Sequence, residues 1–297
     1  MTATIDTRSP TDTPSPTSSK KNLAFLLAKK GIQPITMLTC YDYPTACLED
    51  QAGVDIVLVG DSVGTNVLGY ASEREVTMAD MIHHLKAVRR GVTQAFLLAD
   101  MPYQSYTTPD LALENATAFL AYGADAIKLE GGQEQLAIVR RLTEQGITVC
   151  GHIGFTPQTL HQVGKRGRVQ GRSFEQAQAL LQSAVALEQA GARLLVLELV
   201  PTRLARLITE RVHILTIGIG AGRFCDGQVL IINDLLGVTP FRLKLAKQYQ
   251  HYHELTLEAI AQYKREVEQG IFPDEANSFD MEESEFDKVE AWAHSTL

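Results

Sequence analysis

The sequence predicts an α/β fold: a (β/α)8 barrel of the TIM type with an extra N-terminal helix. From residue 35 onward, short β-rich runs alternate with longer segments of helical spacing, which is typical of parallel βα units. Eight such runs are present, enough to close a barrel. With 297 residues, 45% of them apolar, the chain is also long enough to bury the core of one such domain.

The predicted strands are short, apolar runs bounded by turn residues. They span residues 35–39, 56–60, 96–100, 126–130, 148–151, 194–198, 214–217 and 229–232. Helical spacing predicts helices over 78–90, 109–122, 133–144 and 174–189, with glycine following as a common helix stop, and the extra helix over 21–30. An open, doubly wound sheet is the alternative arrangement of the same units.

Outside the barrel, composition predicts two tails. Residues 1–19 are rich in Ser, Thr and Pro and are expected to be disordered. Residues 20–273 form the predicted catalytic barrel, which includes a pair of helices over 235–269. The acidic stretch 274–297 is expected to be a solvated, weakly structured tail.

Charge and cysteine content favour a cytoplasmic enzyme of small molecules. A net charge of -8 and a pI near 5.5 argue against nucleic acid or an anionic membrane as partner, since both reward clustered Lys and Arg. The four cysteines include no CxxC pair, so neither a structural zinc site nor a disulfide framework is indicated. No apolar run approaches the roughly 20 residues of a membrane span, and no secretory signal is recognisable.

Ionisable residues end several predicted strands, at the barrel end where active sites of this fold lie. They are Asp61 with Ser62 after the second strand, Asp100 in the third, Lys128 and Glu130 in the fourth, His152 in the fifth and Glu198 in the sixth. Because side chains alternate along a strand, Lys128 and Glu130 are expected to share one face. Buried charges are costly unless they are paired or bind metal, so the pattern predicts one shared site.

Three of these carboxylates, Asp61, Asp100 and Glu130, come from adjacent strands and would repel one another. A hard cation would resolve that conflict, and the all-oxygen ligand set favours Mg²⁺. Taken singly, each residue also allows a structural interpretation: Asp61 and Asp100 as turn residues, Lys128 with Glu130 as an ion pair, and His152 as a hydrogen-bonded core residue. Glu198 fits such an interpretation least, because its strand neighbours are apolar.

Several motifs lie in a fixed order along residues 20–279. They read Thr-Cys-Tyr-Asp-Tyr at 39–43, Val-Gly-Asp-Ser-Val-Gly at 59–64, Leu-Ala-Asp-Met-Pro at 98–102, Ile-Lys-Leu-Glu-Gly-Gly at 127–132, Gly-His-Ile-Gly at 151–154, Val-Gln-Gly-Arg at 169–172, Leu-Glu-Leu-Val-Pro at 197–201 and Ile-Gly-Ile-Gly-Ala-Gly at 217–222. In these motifs the chain resembles the ketopantoate hydroxymethyltransferase family. The basic segment 165–168 departs from the family's usual Gly-Gly-Tyr-Lys-like sequence, which leaves the folate contacts open.

The resemblance implies an activity and a set of partners. The reaction would transfer a one-carbon unit from 5,10-methylenetetrahydrofolate to 3-methyl-2-oxobutanoate, forming 2-dehydropantoate in pantothenate biosynthesis through a metal-stabilised enolate. The cofactor would be Mg²⁺, and the assembly a homo-oligomer, commonly a decamer in the family.

The resemblance also implies roles for individual residues. The metal ligands fall on Asp61, Asp100 and Glu130, and the 2-oxo-acid contacts on Asp61, Ser62, Asp100 and Lys128. The proton acceptor falls on Glu198, where apolar surroundings are expected to favour proton uptake. His152 is expected to bind the substrate or relay a proton. The rivals are a magnesium-dependent lyase or mutase of 2-oxo acids and a non-catalytic barrel that stores metal.

Overall fold

The protein is described from a computed structural model, which covers residues 20–159 and 169–296. The predicted disordered tail 1–19 and the basic segment 165–168 lie outside the described residues. Within the described chain, eight parallel strands form a closed barrel in sequence order, β1 pairing with β8. They are β1 (Ile35–Thr39), β2 (Ile56–Val59), β3 (Phe96–Asp100), β4 (Ala126–Glu130), β5 (Val149–Gly154), β6 (Leu194–Glu198), β7 (Leu215–Ile219) and β8 (Gly227–Leu230). The predicted barrel is therefore confirmed, and the open sheet is excluded.

Helices follow most of the strands along the described chain, although none separates β7 from β8. They are α1 (Leu23–Ala28), α2 (Tyr43–Gln51), α3 (Met78–Gly91), α4 (Pro109–Ala121), α5 (Leu136–Glu144), α6 (Phe174–Gln189), α7 (Thr202–Arg211), α8 (Ile232–Leu236), α9 (Tyr252–Glu268) and α10 (Glu283–Thr296). Several begin at residues whose side chains accept a hydrogen bond from the first turn: Asp42 before α2, Thr108 before α4 and Ser173 before α6. Prolines in the first turns of α2 and α4 remove amide donors that would have no helical partner.

The barrel interior is filled by alternate residues of each strand. The buried cluster inside the barrel comprises Leu26, Ile35, Met37, Ile56, Leu58, Phe96, Leu98, Ala126, Cys150, Leu194, Val196, Leu215, Ile217, Ile219 and Val229. Each strand thus places its first interior positions in an apolar core, and the next interior positions lie nearer the C-terminal end. This alternation decides which polar residues face the interior.

The extra helix α1 closes the N-terminal end of the barrel. Its Leu26 is fully buried in the barrel-interior cluster. Lys29 and Lys30, just beyond the helix, bind Asp55 and Asp226, with Nζ–Oδ2 distances of 2.6 and 2.7 Å. Both aspartates immediately precede a strand, so these ion pairs join the helix to the N-terminal ends of β2 and β8.

The chain divides into two compact units. The first contains the barrel up to Leu235 together with Arg242–Lys247, and the second contains Leu236–Phe241 and the chain from Gln248 onward. Helices α9 and α10 belong to the second unit, and the predicted boundary at residue 273 falls inside it. No helix of the described chain is long and apolar enough to cross a membrane.

Two expectations for the C-terminal region need correction. The predicted pair of helices over 235–269 is instead one long helix, α9, preceded by the short α8. Within the acidic segment 274–297, expected to be weakly structured, Glu283–Thr296 form α10. Phe286, Val289 and Trp292 recur every third residue along α10, a spacing that favours a helix, although all three side chains are exposed.

Candidate active site

A cavity of about 340 Å³ opens at the C-terminal end of the barrel. All seven residues predicted for the site line it: Asp61, Ser62, Asp100, Lys128, Glu130, His152 and Glu198. Its other walls include apolar side chains, among them Val196, Leu199, Ile219 and Leu245. The strand-end polar residues predicted for one site thus line the same cavity.

Strand periodicity explains the convergence. In β3, interior Leu98 is followed two residues later by Asp100, and in β4 the interior series runs from Ala126 to Lys128 and Glu130. The strand register then sets neighbours side by side. Pairing partners are Asp100 with Lys128, Glu130 with His152, and Gly154 with Glu198.

Asp100 and Lys128 form a buried ion pair in the site. The Lys128 Nζ lies 2.6 Å from Asp100 Oδ2, and both residues are at most 5% exposed. Burial opposes the ammonium form, yet the nearby carboxylates, Asp100 first, outweigh it and raise the pKa of Lys128. The other oxygen, Asp100 Oδ1, is buried with no hydrogen-bond partner among the described residues.

Asp61 lies beside this pair. Its backbone N–H points to Asp100 Oδ2 at 3.4 Å, and its side chain is buried. Burial, and next the carboxylate of Asp100, hold the pKa of Asp61 well above its usual value. Lys128 lowers this pKa but does not fully offset the other carboxylates. The cluster therefore carries more acidic groups than its described cations neutralise.

Gln158 is a site residue that the sequence analysis missed. Its Nε2 donates to Asp61 Oδ2 at 2.8 Å and to the Met101 carbonyl at 3.0 Å, while its backbone N–H donates to Glu130 Oε2 at 3.0 Å. Its Oε1 accepts a hydrogen bond from the Tyr106 hydroxyl. Gln158 is only 1% exposed, and its side-chain and backbone amides together join the C-terminal ends of β2, β3 and β4.

His152 lies between two carboxylates. Its Nδ1 is 3.4 Å from Glu130 Oε1, and its Nε2 is 3.3 Å from Glu198 Oε2. Neither contact has the alignment of a hydrogen bond, so these are ion-pair contacts. Burial and Lys128 oppose protonation of His152, but Glu130 and Glu198 outweigh them and raise its pKa.

Glu198 is held by tight backbone packing at the end of β6. The next residue, Leu199, has a left-handed φ of 48°, which is strained for a bulky side chain. A Cβ at Gly154 would lie 2.2 Å from the Glu198 carbonyl oxygen, so only glycine fits there. The expected apolar setting of Glu198 is wrong in one respect, because its carboxylate faces the imidazole of His152 rather than hydrocarbon alone.

Ser62 faces a second residue that the sequence analysis did not assign. The Tyr41 hydroxyl and Ser62 Oγ are 2.8 Å apart. Burial raises the pKa of Tyr41, so its phenol remains neutral. Tyr41 belongs to the motif at 39–43. Its contact with Ser62 depends on the conformation of the loop after β1, which residue periodicity does not predict.

The carboxylates do not form a preassembled three-ligand metal site. Among residues 20–159 and 169–296, no three His, Cys, Asp or Glu side chains are grouped closely enough to hold a metal ion. Instead, Lys128 pairs with Asp100, and Gln158 binds both Asp61 and Glu130. The unpartnered Asp100 Oδ1 and the raised pKa of Asp61 nevertheless mark a place where additional positive charge would be stabilising.

Comparison with known proteins gives a consistent family assignment. The model of the family described as ketopantoate hydroxymethyltransferase matches residues 20–275. A 3-methyl-2-oxobutanoate hydroxymethyltransferase of Thermoanaerobacter sp. strain X514 is 50% identical over 260 residues, which cover 86% of this chain and 94% of that protein. The enzyme of the same name from Thermotoga maritima is 49% identical over 260 residues, covering 87% and 96%.

Among solved structures, the barrel is similar to that of phosphonopyruvate hydrolase in complex with oxalate and Mg²⁺. The TM-score is 0.58, and the alignment covers 94% of this chain and 99% of that one. At 13% sequence identity, this likeness concerns the fold alone.

Proposed function

Because this chain belongs to the ketopantoate hydroxymethyltransferase family, we propose that it transfers a one-carbon unit from 5,10-methylenetetrahydrofolate to 3-methyl-2-oxobutanoate. The chain is an enzyme, a hydroxymethyltransferase, as its close relatives are named. The family match separates it from the structurally similar hydrolase, which shares only the barrel. The observation that carries the proposal is the gathering of four carboxylates around Lys128 and His152 in one cavity.

The proposed reaction replaces one bond of the keto acid. The C3–H bond breaks and C3 bonds to the methylene carbon, whose two C–N bonds to the folate break. Water supplies the hydroxyl oxygen of 2-dehydropantoate, and the C3 proton and one proton of water end on the two nitrogens of tetrahydrofolate. The difficult step is removal of the C3 proton, because the electron pair left behind must spread onto the adjacent keto oxygen. The site must therefore supply a base near C3 and positive charge near that oxygen.

We assign Mg²⁺ to the carboxylates predicted for it: Asp61, Asp100 and Glu130. When bound, Mg²⁺ would neutralise negative charge on the keto acid's oxygens and so acidify C3–H. Mg²⁺ usually binds through one or two carboxylates and keeps several waters. No three described ligands are grouped closely enough to hold a metal by themselves, so water or substrate oxygens would complete the coordination of an ion held by these carboxylates. The structure of phosphonopyruvate hydrolase with oxalate and Mg²⁺ is consistent with metal use on this fold.

Lys128 and Ser62 are the proposed keto-acid contacts beside the metal. With its pKa raised, Lys128 stays an ammonium at neutral pH and can stabilise charge on the substrate carboxylate or keto oxygen. Ser62 can donate a hydrogen bond to the substrate while its oxygen accepts from Tyr41.

Glu198 is the proposed base. It is the cavity carboxylate opposite His152, and its side chain is 18% exposed, so it can reach a substrate in the cavity. A protonated His152 would steady the Glu198 carboxylate through Nε2 and Glu130 through Nδ1. We propose that Glu198 accepts the C3 proton and that His152 orients the Glu198 carboxylate for this step.

The test is exchange of the C3 hydrogen without folate. The enzyme would be incubated with Mg²⁺ and 3-methyl-2-oxobutanoate in D₂O, and loss of the C3 proton signal followed by NMR. Wild type should exchange, whereas Glu198→Gln should be slower by about 10²- to 10⁴-fold while still binding Mg²⁺ and keto acid. Glu210→Gln, at an exposed glutamate on α7, is the matched control and should exchange normally. Normal exchange by Glu198→Gln would remove Glu198 from this role.

We also propose that the chain assembles as a homo-oligomer. The second unit exposes large apolar side chains that a partner surface would cover, including Tyr252, Leu255, Ile260, Tyr263 and Trp292. Light scattering after size exclusion would test this proposal, and a monomeric mass at micromolar concentration would overturn it.

A further inference from the structure

The cavity has a charged half and an apolar half. The charged side chains end the strands from β2 to β6. On the other side, β7 contributes Ile219, β8 contributes Val229 and β1 contributes Thr39. Ile231, just after β8, and Leu243 and Leu245 also line the cavity. The proposed keto acid and metal account for the charged half only, so the apolar half is available for the second substrate.

One carboxylate belongs to this apolar half. Asp234 lies on α8, directly after β8, and lines the cavity. Its Oδ2 is buried and has no hydrogen-bond partner among the described residues. Burial raises the pKa of Asp234 above its ordinary value.

Each of the other cavity carboxylates has a polar partner for at least one of its oxygens, although Asp100 Oδ1, beside the proposed metal, has none among the described residues. These pairs are Asp61 with Gln158, Glu73 with Thr65, Asp100 with Lys128, Glu130 with the Gln158 backbone N–H, and Glu198 with His152. A buried, unpaired acceptor costs about 1–3 kcal/mol. An acceptor retained at this cost in a substrate cavity indicates a ligand that brings the missing donor.

The chemistry of the two proposed substrates decides which one Asp234 suits. A 2-oxo acid offers only acceptor oxygens and a negative charge, both of which an aspartate would repel. The reduced pterin ring of folate offers flat faces for apolar walls and an edge with two adjacent N–H donors, the ring N3–H and the 2-amino group. Two parallel N–H donors match the two oxygens of a carboxylate, as in other bidentate pairs.

We propose that Asp234 binds the N3–H and 2-amino edge of the pterin ring, which rests between the apolar side chains of the β7–β8 half of the cavity. This inference rests on the proposed folate-dependent function. It assigns the folate ring to the side of the cavity opposite the ion pair of Lys128 and Asp100, so that the one-carbon unit approaches the keto acid from the apolar side.

Asp234→Asn tests this assignment, because the amide keeps the shape but places an N–H against the ring's own donors. Binding of tetrahydrofolate and of tetrahydrobiopterin, which carries the ring without the aminobenzoylglutamate tail, would be measured by calorimetry. Both dissociation constants should rise by about 10- to 100-fold. Binding of p-aminobenzoylglutamate should not change, and the folate-free C3 exchange, which also reports a folded site, should stay within about twofold.

Asp110→Asn is the matched control, since Asp110 is an exposed aspartate on α4 paired with Arg141. It should bind all three probes as wild type does. If Asp234→Asn binds tetrahydrofolate as tightly as wild type, or loses C3 exchange, the assignment is wrong. If wild type itself binds no tetrahydrofolate, the proposed function fails instead, so the two failures are distinguishable.

Discussion

The two ends of the barrel carry the same residue types in opposite balance. At the N-terminal end, Asp55, Asp125 and Asp226 each immediately precede a strand, and each binds at least one lysine. At the C-terminal end, carboxylates outnumber cations, and Lys128 is the one lysine among the described residues that line the cavity. Acidic residues at one end are neutralised within the chain, and those at the other are left short of positive charge.

The pKa directions express the same contrast. Burial would raise the pKa of Asp55, but Lys29 and the Thr36 N–H outweigh burial and lower it. Burial and Asp100 raise the pKa of Asp61. Ion pairs at the N-terminal end stabilise the folded chain, whereas the excess negative charge at the C-terminal end is unfavourable until a cation neutralises it. In a barrel this separates the end that holds the fold together from the end that does chemistry.

The largest expected difference between the two ends is the effect on kcat/KM of replacing one lysine at each end. Lys128→Met leaves Asp100 without its cation and should lower kcat/KM by about 10²- to 10³-fold, as loss of a charge-stabilising donor does. Lys30→Met, which unpairs Asp226, should leave kcat/KM unchanged and lower the free energy of unfolding by about 1–3 kcal/mol. Steady-state kinetics and urea unfolding measure both. An equal loss of kcat/KM in the two variants would contradict the assignment of catalysis to the C-terminal end and stability to the N-terminal end.

A smaller effect is expected from Gln158→Met, which keeps the side-chain volume but removes the donors to Asp61 and Met101. The Asp61 carboxylate would lose its fixed orientation, so the KM for the keto acid and the dissociation constant for Mg²⁺ should each rise about 10-fold. Gln228→Met is the control, because the Gln228 amide donates to the Gly222 carbonyl outside the described cavity lining. Equal Mg²⁺ affinity in the Gln158 variant and wild type would limit Gln158 to a packing role.

The smallest expected effects are changes in the free energy of unfolding when one aspartate at each end is replaced by asparagine. These changes should have opposite signs at the two ends. Asp55→Asn should destabilise the metal-free protein by about 1–3 kcal/mol at pH 7, since it unpairs Lys29. Asp61→Asn should stabilise the metal-free protein by about 1 kcal/mol, because it removes a buried, unneutralised charge. Urea unfolding in EDTA measures both values.

The pH dependence follows from the same directions. The stability that Asp55 contributes is present above its unfolded pKa, near 3.8, and is lost as pH falls through its lowered folded pKa. The folded form of Asp61 holds its proton to higher pH than the unfolded chain, so wild-type stability falls as pH rises from about 3.8 toward neutrality. The advantage of Asp61→Asn should therefore grow with pH. Destabilisation by both substitutions at pH 7 would contradict the comparison.

Strand-end patterns predicted much of this arrangement. The bounds of β3, β4 and β6 agree with the apolar runs that end in Asp100, Glu130 and Glu198, since each run is apolar up to an ionisable residue. Side-chain alternation also placed Lys128 beside Glu130 in the interior. These features are local, so the sequence of each strand contains them.

Features that depend on long-range pairing were not predicted. β5 continues to Gly154 and β7 to Ile219, because their backbones pair with β6, which residue type does not reveal. Helix α2 was missed, although Asp42 and the following proline mark its start. Gln158 lies in a single turn after β5 and has no periodicity, and its contacts join three strands distant in sequence.

The closure of one barrel end by α1 has a consequence for the order of events. Leu26 is buried in the core at the N-terminal end of the barrel, and the described cavity opens at the C-terminal end. We therefore expect both substrates and both products to use the same opening. Asp61 and Asp100 are at most 4% exposed, whereas Asp234 is only partly buried. If these carboxylates hold the keto acid and Asp234 holds the folate, we expect the keto acid to bind before the folate and tetrahydrofolate to leave before the product. Excess folate should then inhibit turnover by occupying the cavity before the keto acid binds.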